Sequence, residues 1–335
     1  MDRKVMRLVA VAAVIISICF VSAGKAKQLS DSGNSSDTNS DQVFSKPAQP
    51  MPPLQKVSNF FSEVDQEDYP PAKAPESPPL LRWDFSGKAV YAYDFYEKEV
   101  NTAKMLSMED SMEQDGEGTA TLLLKSQGDH TAVMVLKDLK LKALVTGIGE
   151  GAPKKVEEEP PDITVEGMGE DGSIDPDKLP EGSQFEGLFP LPKKPLNVGE
   201  SVEMPEDVPF NVAESTLHAK GVTIITLTKY VTIDGHVCAK LVAATDITEL
   251  DVPGSLEGDY RIFVKGKAVF YFDLESKRFV GGNTAIIMSM RIEAPMPKMN
   301  FPEGAPPNLD MPDTIRMAMD SDNLIKLKFN PEKAQ

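Results

Sequence analysis

Cysteine and histidine are scarce in this sequence, and the scarcity removes most familiar chemistries. There are two cysteines and three histidines in 335 residues. Cys19 lies inside an apolar N-terminal run, so a chain that loses the run keeps Cys238 alone and forms no internal disulfide. A disulfide scaffold is excluded, and a chain this long buries enough apolar surface to fold without one. The sequence holds no HExxH zinc motif, no GxSxG elbow, no phosphate loop and no GxGxxG fingerprint. The one local pairing of a base with a nucleophile is His236 with Cys238, and strand spacing puts both on one face with Lys240. A thiolate held by those cations would be reactive. No orienting carboxylate has a readable spacing, although Asp234 is close, so the adopted reading is a small buried thiol beside a turn histidine. No catalytic, cofactor-binding or metal-binding residue is assigned, no cofactor is expected, and the expectation is a protein that is not an enzyme.

Basic clusters are missing as well. Lys and Arg number 35 against 52 Asp and Glu, for a formal net charge of −17. Such a chain repels nucleic-acid phosphates and anionic membrane surfaces, so no nucleic-acid partner is expected. Acidity is compatible with calcium or cationic partners, and solubility accounts for it without either. The stretch from Glu166 to Glu181, with Glu170, Asp171, Asp175 and Asp177, departs from an EF-hand: its glycine comes too early and no Glu closes it at the twelfth position. It reads as a solvated acidic loop. Met288, Met290, Met296, Met299, Met311, Met317 and Met319 invite a Cu(I) reading through their thioethers. Without clustered histidines, core filling and cover for a sheet edge is the reading adopted.

What is present begins with an export signal. Arg3, Lys4 and Arg7 precede an apolar run from Leu8 to Val21, and Val21-Ser22-Ala23 is a permissive cleavage site. The reading is a signal peptide over residues 1–23. An uncleaved anchor is the alternative, although the run is short for a span of ~20 residues. Ile18 before Cys19, with the apolar run continuing beyond it, excludes lipidation there. The location expected is outside the cytoplasm, periplasmic or secreted, and membrane-anchored if the signal stays.

Residues 24–80 read as a disordered linker rich in Ser, Asp, Gln and Pro. Their apolar content does not offset an ordering cost of ~1–2 kcal/mol per residue. Within them Val57 to Val64 (VSNFFSEV) is a turn in a tether or a docking peptide. A first β unit covers 81–146, opening with the aromatic stretch Trp83 to Val100. Residues 147–187 hold twelve acidic residues against three lysines and read as a long acidic loop. A second β unit covers 188–330. It begins with Pro-rich edge strands and continues in a hairpin, Val222 to Ile233 and His236 to Ile247, around Asp234-Gly235. Tyr260 to Leu274 and Arg278 to Glu293 follow, then a last hairpin of Thr314 to Met319 and Leu324 to Phe329. The fold class expected is mainly β, with antiparallel sheets as a curved half-barrel or two packed β units.

An internal echo links Gly87 to Lys98 (GKAVYAYDFYEK) with Gly266 to Lys277 (GKAVFYFDLESK), six of twelve positions being identical. Duplication of a β unit and coincidence between aromatic strands both account for it. Gly235, Cys238, Ala239, Lys240 and Leu241 on a return strand, then Phe272, Asp273, Arg278, Phe279 and Val280, give a pattern over residues 188–293. This pattern resembles uncharacterised exported bacterial β-proteins with a curved sheet of the lipocalin-like or lipoprotein-carrier type. The resemblance implies an apolar concave surface. The function expected is therefore a non-enzymatic exported module that binds a hydrophobic small molecule or lipid. The alternative is a structural or interaction component of the cell envelope, with an envelope protein as partner.

Overall fold

The computed structural model describes residues 50–65, 68–106, 110–147, 153–174, 188–189, 191–212, 215–295 and 313–334. Their strands are β1 (Val90–Met105), β2 (Asp110–Ser126), β3 (Thr131–Thr146), β4 (Lys154–Glu158), β5 (Ile163–Gly169) and β6 (Ser201–Val212), then β7 (Ser215–Ile233), β8 (His236–Asp251), β9 (Asp259–Asp273), β10 (Arg278–Pro295) and β11 (Thr314–Phe329). All eleven belong to one sheet, in the order β4-β3-β2-β1-β11-β10-β9-β8-β7-β6 with β5 also on β3. Every pairing is antiparallel, and the sheet does not close into a barrel. No helix among the described residues is long and apolar enough to cross a membrane.

The expected halves, 81–146 and 188–330, are the two sides of this sheet. The C-terminal strand joins them, since β11 pairs β1 from Tyr93↔Phe329 to Met105↔Met317 and β10 on its other edge. The central hairpin is as expected: Asp234 (φ 52°) and Gly235 (φ 87°) make the two-residue turn between β7 and β8, as a type I′ geometry requires. At the far edge β6 carries Pro205 and Pro209, which suits a strand with one unpaired side.

Alternation gives the sheet two different faces. The inner face carries Tyr91, Tyr93 and Phe95 of β1, Leu122 and Leu124 of β2, Phe270 and Phe272 of β9, and Phe279 of β10. Leu81, Trp83 and Phe85 lie on this face, with Phe189, Leu191 and Leu196 from the connection before β6. Trp83 is 1% exposed. Its ring centroid lies 5.4–6.5 Å from those of Phe85, Tyr91, Tyr93, Phe189, Phe272 and Phe279. Each such aromatic pair adds about 0.5–1.5 kcal/mol beyond burial. The internal echo acquires a physical meaning here: its paired positions Tyr91/Phe270 and Tyr93/Phe272 all face inward, and three of the four contact Trp83.

The outer face corrects the linker reading. Residues 50–65 and 68–72 lie across it as a strap, from β10 and β11 to β7. Arg291 donates to the carbonyls of Pro52 (2.9 Å) and Pro53 (2.6 Å), and the Gln55 N–H donates to Ser289. Asn59 N–H donates to Asp322 (2.8 Å), Lys326 pairs with Glu63 (2.9 Å), and Thr232 N–H donates to Pro70 O (2.8 Å). Phe60 and Val64, on either side of a single 3-10 turn (Phe61–Glu63), are buried with Val231, Cys238, Val269 and Leu324. Most of these partners lie more than 150 positions away in sequence, so local composition carries no sign of them. Residues 24–49 lie outside the described residues.

Two further expectations are corrected. The acidic stretch 147–187 is not all loop: β4 and β5 pair β3, and Val165 and Met168 enter the core. The last hairpin is one continuous strand, because Asp320 to Asn323 pair with both β1 and β10 and leave no turn.

Candidate functional site

The unusual feature of the inner face lies below the aromatic core. On β1 every second residue from Tyr91 faces inward, and the run is Tyr91, Tyr93, Phe95, Glu97, Glu99, Asn101. The first three are core residues. The last three stay just as buried, at 2%, 8% and 1% exposed. The neighbouring strand β11 does the same: Asn323 stands opposite Glu99 and Ser321 opposite Asn101, both buried. On β2 the opposite residues are Gly118, Gly116 and Gln114. A Cβ at Gly116 would lie 3.0 Å from Glu99 Oε1, so glycine there gives the carboxylate its room. On β10 the residue at this level is the apolar Ile286, which ends the belt; beyond it come Gly266 of β9 and then a separate polar pair, Thr245 of β8 and Thr223 of β7, which share a hydrogen bond of 2.8 Å.

Glu99 is the best defined charge in this belt. Burial raises its carboxyl above the usual carboxylate range, and the amides of Asn101 and Gln114 hold it back in part. Gln114 Nε2 donates to Glu99 Oε1. Neither the oxygen nor the Nδ2 of the Asn101 carboxamide makes a hydrogen bond of good geometry. The arrangement is rich in acceptors: two carboxylates and an amide carbonyl on one short stretch of strand, in a place where water is largely excluded.

Beyond the belt the inner face becomes apolar again, in two separate clusters. One gathers Met290, Ile292 and Met319 with Met112 and Met317; the other gathers Ala219, Ile247 and Ile262 with Val264 and Met288. Both consist of strand residues alone, among those described. The aromatic core above, in contrast, is filled by non-strand segments at 81–85, 188–189 and 191–196.

The pairings raised by the sequence are placed differently. Cys238 is fully buried on the outer face beneath the strap. Burial, then the nearby Asp273, pushes its thiol up to about 12, so no thiolate forms near neutrality. His236 Nδ1 lies 3.5 Å from Asp273 and 3.4 Å from Glu275 at the end of the sheet. Asp273 instead caps the β9–β10 turn, accepting from Glu275 N–H (3.0 Å) and Ser276 N–H (3.4 Å). Of the acidic stretch, Asp171 accepts from Ser173 in a local turn and Glu170 pairs with His130 at 2.9 Å; Asp175 to Glu181 lie outside the described residues. Met288, Met290, Met317 and Met319 pack in the two inner clusters, whereas Met296, Met299 and Met311 lie outside the description. Among the described residues no three His, Cys, Asp or Glu gather to hold a metal.

A cleft of about 390 Å³ opens at the other end of the sheet, beside Leu80, Trp83, His130, Glu170 and Lys277. Its polar pair is structural. Glu170 accepts from Phe85 N–H (3.3 Å) and its carbonyl accepts from Trp83 N–H (2.8 Å), which ties the aromatic segment to the end of β5. The His130 imidazole is raised by the same carboxylate while exposed to solvent. No serine, cysteine or lysine is positioned against that imidazole among the hydrogen bonds described.

The belt was readable from the strand period, since Glu97 and Glu99 continue the alternation of Tyr91, Tyr93 and Phe95. The signal was a pair of acidic residues on the face that the aromatics declare to be the core. It was hidden by their resemblance to an ordinary wet strand end.

Fold and belt together define an open, single-sheet antiparallel β-protein. Its inner face passes from aromatic core to buried polar belt to apolar clusters. Comparison with known proteins finds no matching family model and no similar curated protein.

Proposed function

We propose that this is a non-enzymatic binding protein, working outside the cytoplasm, that holds a hydrophobic small molecule or lipid against the inner face of its sheet. One observation carries the reading. The inner face bears two apolar clusters that, among the described residues, are made by the strands alone, while the aromatic end is packed by the chain's own segments. The core residues of these clusters are already 1–6% exposed, and the partly buried side chains packed against them, Met112, Met317, Val264 and Met288, carry the apolar surface that a ligand would cover, at roughly 25 cal/mol per Å² removed from water. The extracytoplasmic location rests on the basic residues, apolar run and small residues of positions 3–23.

The test is native mass spectrometry of the exported protein purified without detergent, followed by organic extraction of whatever adds mass. A reproducible added mass that extracts as lipid supports the reading. A bare mass that stays bare after incubation with lipids overturns it and moves attention to an envelope protein as partner.

A further inference from the structure

The strap is held on the outer face as a separate peptide would be. Phe60 and Val64 fill an apolar patch made by Val231 of β7, Cys238 of β8, Val269 of β9 and Leu324 of β11. Around that patch its acidic residues meet lysines of the sheet: Glu63 with Lys326, Asp65 with Lys267 and Asp68 with Lys229. Arg291 donates to the carbonyls of Pro52 and Pro53, and Asp322 accepts from Ser58 and Asn59. The last residues bridge to β7, where Ala72 N–H donates to Tyr230 O (3.0 Å). The link from there to Leu81 on the inner face is of another kind. Residues 73–80 (KAPESPPL) are exposed apart from Pro79 and form no helix or strand. They make no hydrogen bond among those described.

We propose that the strap exchanges between copies: the outer face of one chain receives the strap of a second copy, and each chain straps the other. Every contact above joins strap to sheet, so the same set forms within one chain or across a pair. The two arrangements differ in the path of residues 73–80 and in the entropy of association. Pro75, Pro78 and Pro79 stiffen that path. A Pro-rich spacer prefers an extended form of ~3.1 Å per residue, about 25 Å for this link. Such a spacer resists turning back round the end of its own sheet and reaches a neighbouring one. The groove also states what its occupant must carry: two apolar anchors four positions apart, with acidic residues beside them. A second copy brings that pattern with it. Exchange leaves Cys238 of each chain beneath the other chain's strap and joins two inner faces in one particle.

The experiment uses the purified exported protein starting at Gly24. Size exclusion with light scattering, over a range of concentrations, is expected to show monomer and dimer, with dimer gaining as concentration rises. Two variants then locate the strap. One carries Glu63→Cys and the other Lys326→Cys, both with Cys238→Ala, and they are coexpressed and treated with a short bismaleimide. The two native side chains meet at 2.9 Å and are 34% and 37% exposed, so the reagent reaches both positions. Neither variant can join strap to sheet within itself. A covalent heterodimer, in yield well above that from Glu63→Cys chains alone, is therefore expected only if one chain's strap lies on the other's sheet. A chain carrying both cysteines, which cross-links within its monomer, shows that the reagent spans the pair. Pro75→Gly, Pro78→Gly and Pro79→Gly together should lower the dimer fraction at least fivefold where the parent is half dimeric, because a flexible path turns back readily. A parent that stays monomeric up to its solubility limit overturns the proposal. A dimer that yields no covalent heterodimer pairs through another surface and overturns it as well. A dimer fraction unmoved by the three glycines overturns the account of what drives exchange.

Discussion

Replacing Arg291 with methionine should loosen the strap and cost about 3 kcal/mol. The guanidinium side chain is 2% exposed. It donates to Pro52 O (2.9 Å), Pro53 O (2.6 Å), Met290 O (2.8 Å) and Met319 O (2.9 Å), and forks onto Asp320 at 3.0 and 3.1 Å. Those bonds engage all the N–H donors an arginine has, so lysine cannot reproduce them. Removing one partner of a buried pair costs about 3–5 kcal/mol because the other is left uncompensated. Asp320 keeps 22% of its side chain exposed, which places the cost at the lower end. Trp83 is the only tryptophan, and its burial among aromatic rings makes its emission a reporter of global unfolding in urea. Lys56 lies exposed on the strap, so the rate of tryptic cleavage after it reports local release. The Arg291→Met variant should show a lower urea midpoint, faster cleavage at Lys56, or both if strap and sheet unfold together. Replacing Asp320 by leucine in the same chain should restore part of the loss, since an apolar pair carries no orphaned charge. If neither the midpoint nor the cleavage rate moves, the strap is not held by Arg291 and the account of the outer face is wrong.

Glu99→Gln should stabilise the protein at neutral pH. Burial raises the Glu99 carboxyl in the folded state, so the folded state binds the proton more tightly than the unfolded one. Its contribution is fully present below the ordinary carboxylate value of about 4.3 and is lost as pH rises through the raised one. Urea midpoints of parent and variant should therefore coincide near pH 3.5 and separate in favour of the variant by pH 7; separation of the opposite sign would contradict the buried charge. Cys238 should resist a disulfide reagent at pH 8 in the folded protein starting at Gly24, and react at once in urea, because its thiol is pushed up to about 12 beneath the strap. Rapid labelling of the native state would show that the strap does not cover it.

How much was legible in the sequence depends on the distance over which each feature is decided. The β7–β8 hairpin was plain because its turn residues and alternation are local: Asp234-Gly235 alone specify the left-handed pair of φ angles. The strap was not legible, since Ser58, Asn59 and Glu63 owe their order to Asp322 and Lys326 at the far end of the chain. β11 was misread for a related reason. Its middle, Asp320-Ser321-Asp322-Asn323, has turn composition, yet each residue is claimed from one side or the other. Asp320 and Asp322 face outward to Arg291 and to Ser58 and Asn59 of the strap, while Ser321 and Asn323 face inward to the belt. A polar tetrapeptide remains a strand when both faces supply partners, and a hairpin reading follows only when they do not. The same reasoning gives the belt its weight. Apolar residues at Glu97, Glu99, Asn101 and Asn323 would extend the aromatic core down the sheet without a desolvation cost. A buried carboxylate in their place is a local departure from what packing alone favours, and such departures gather at functional sites.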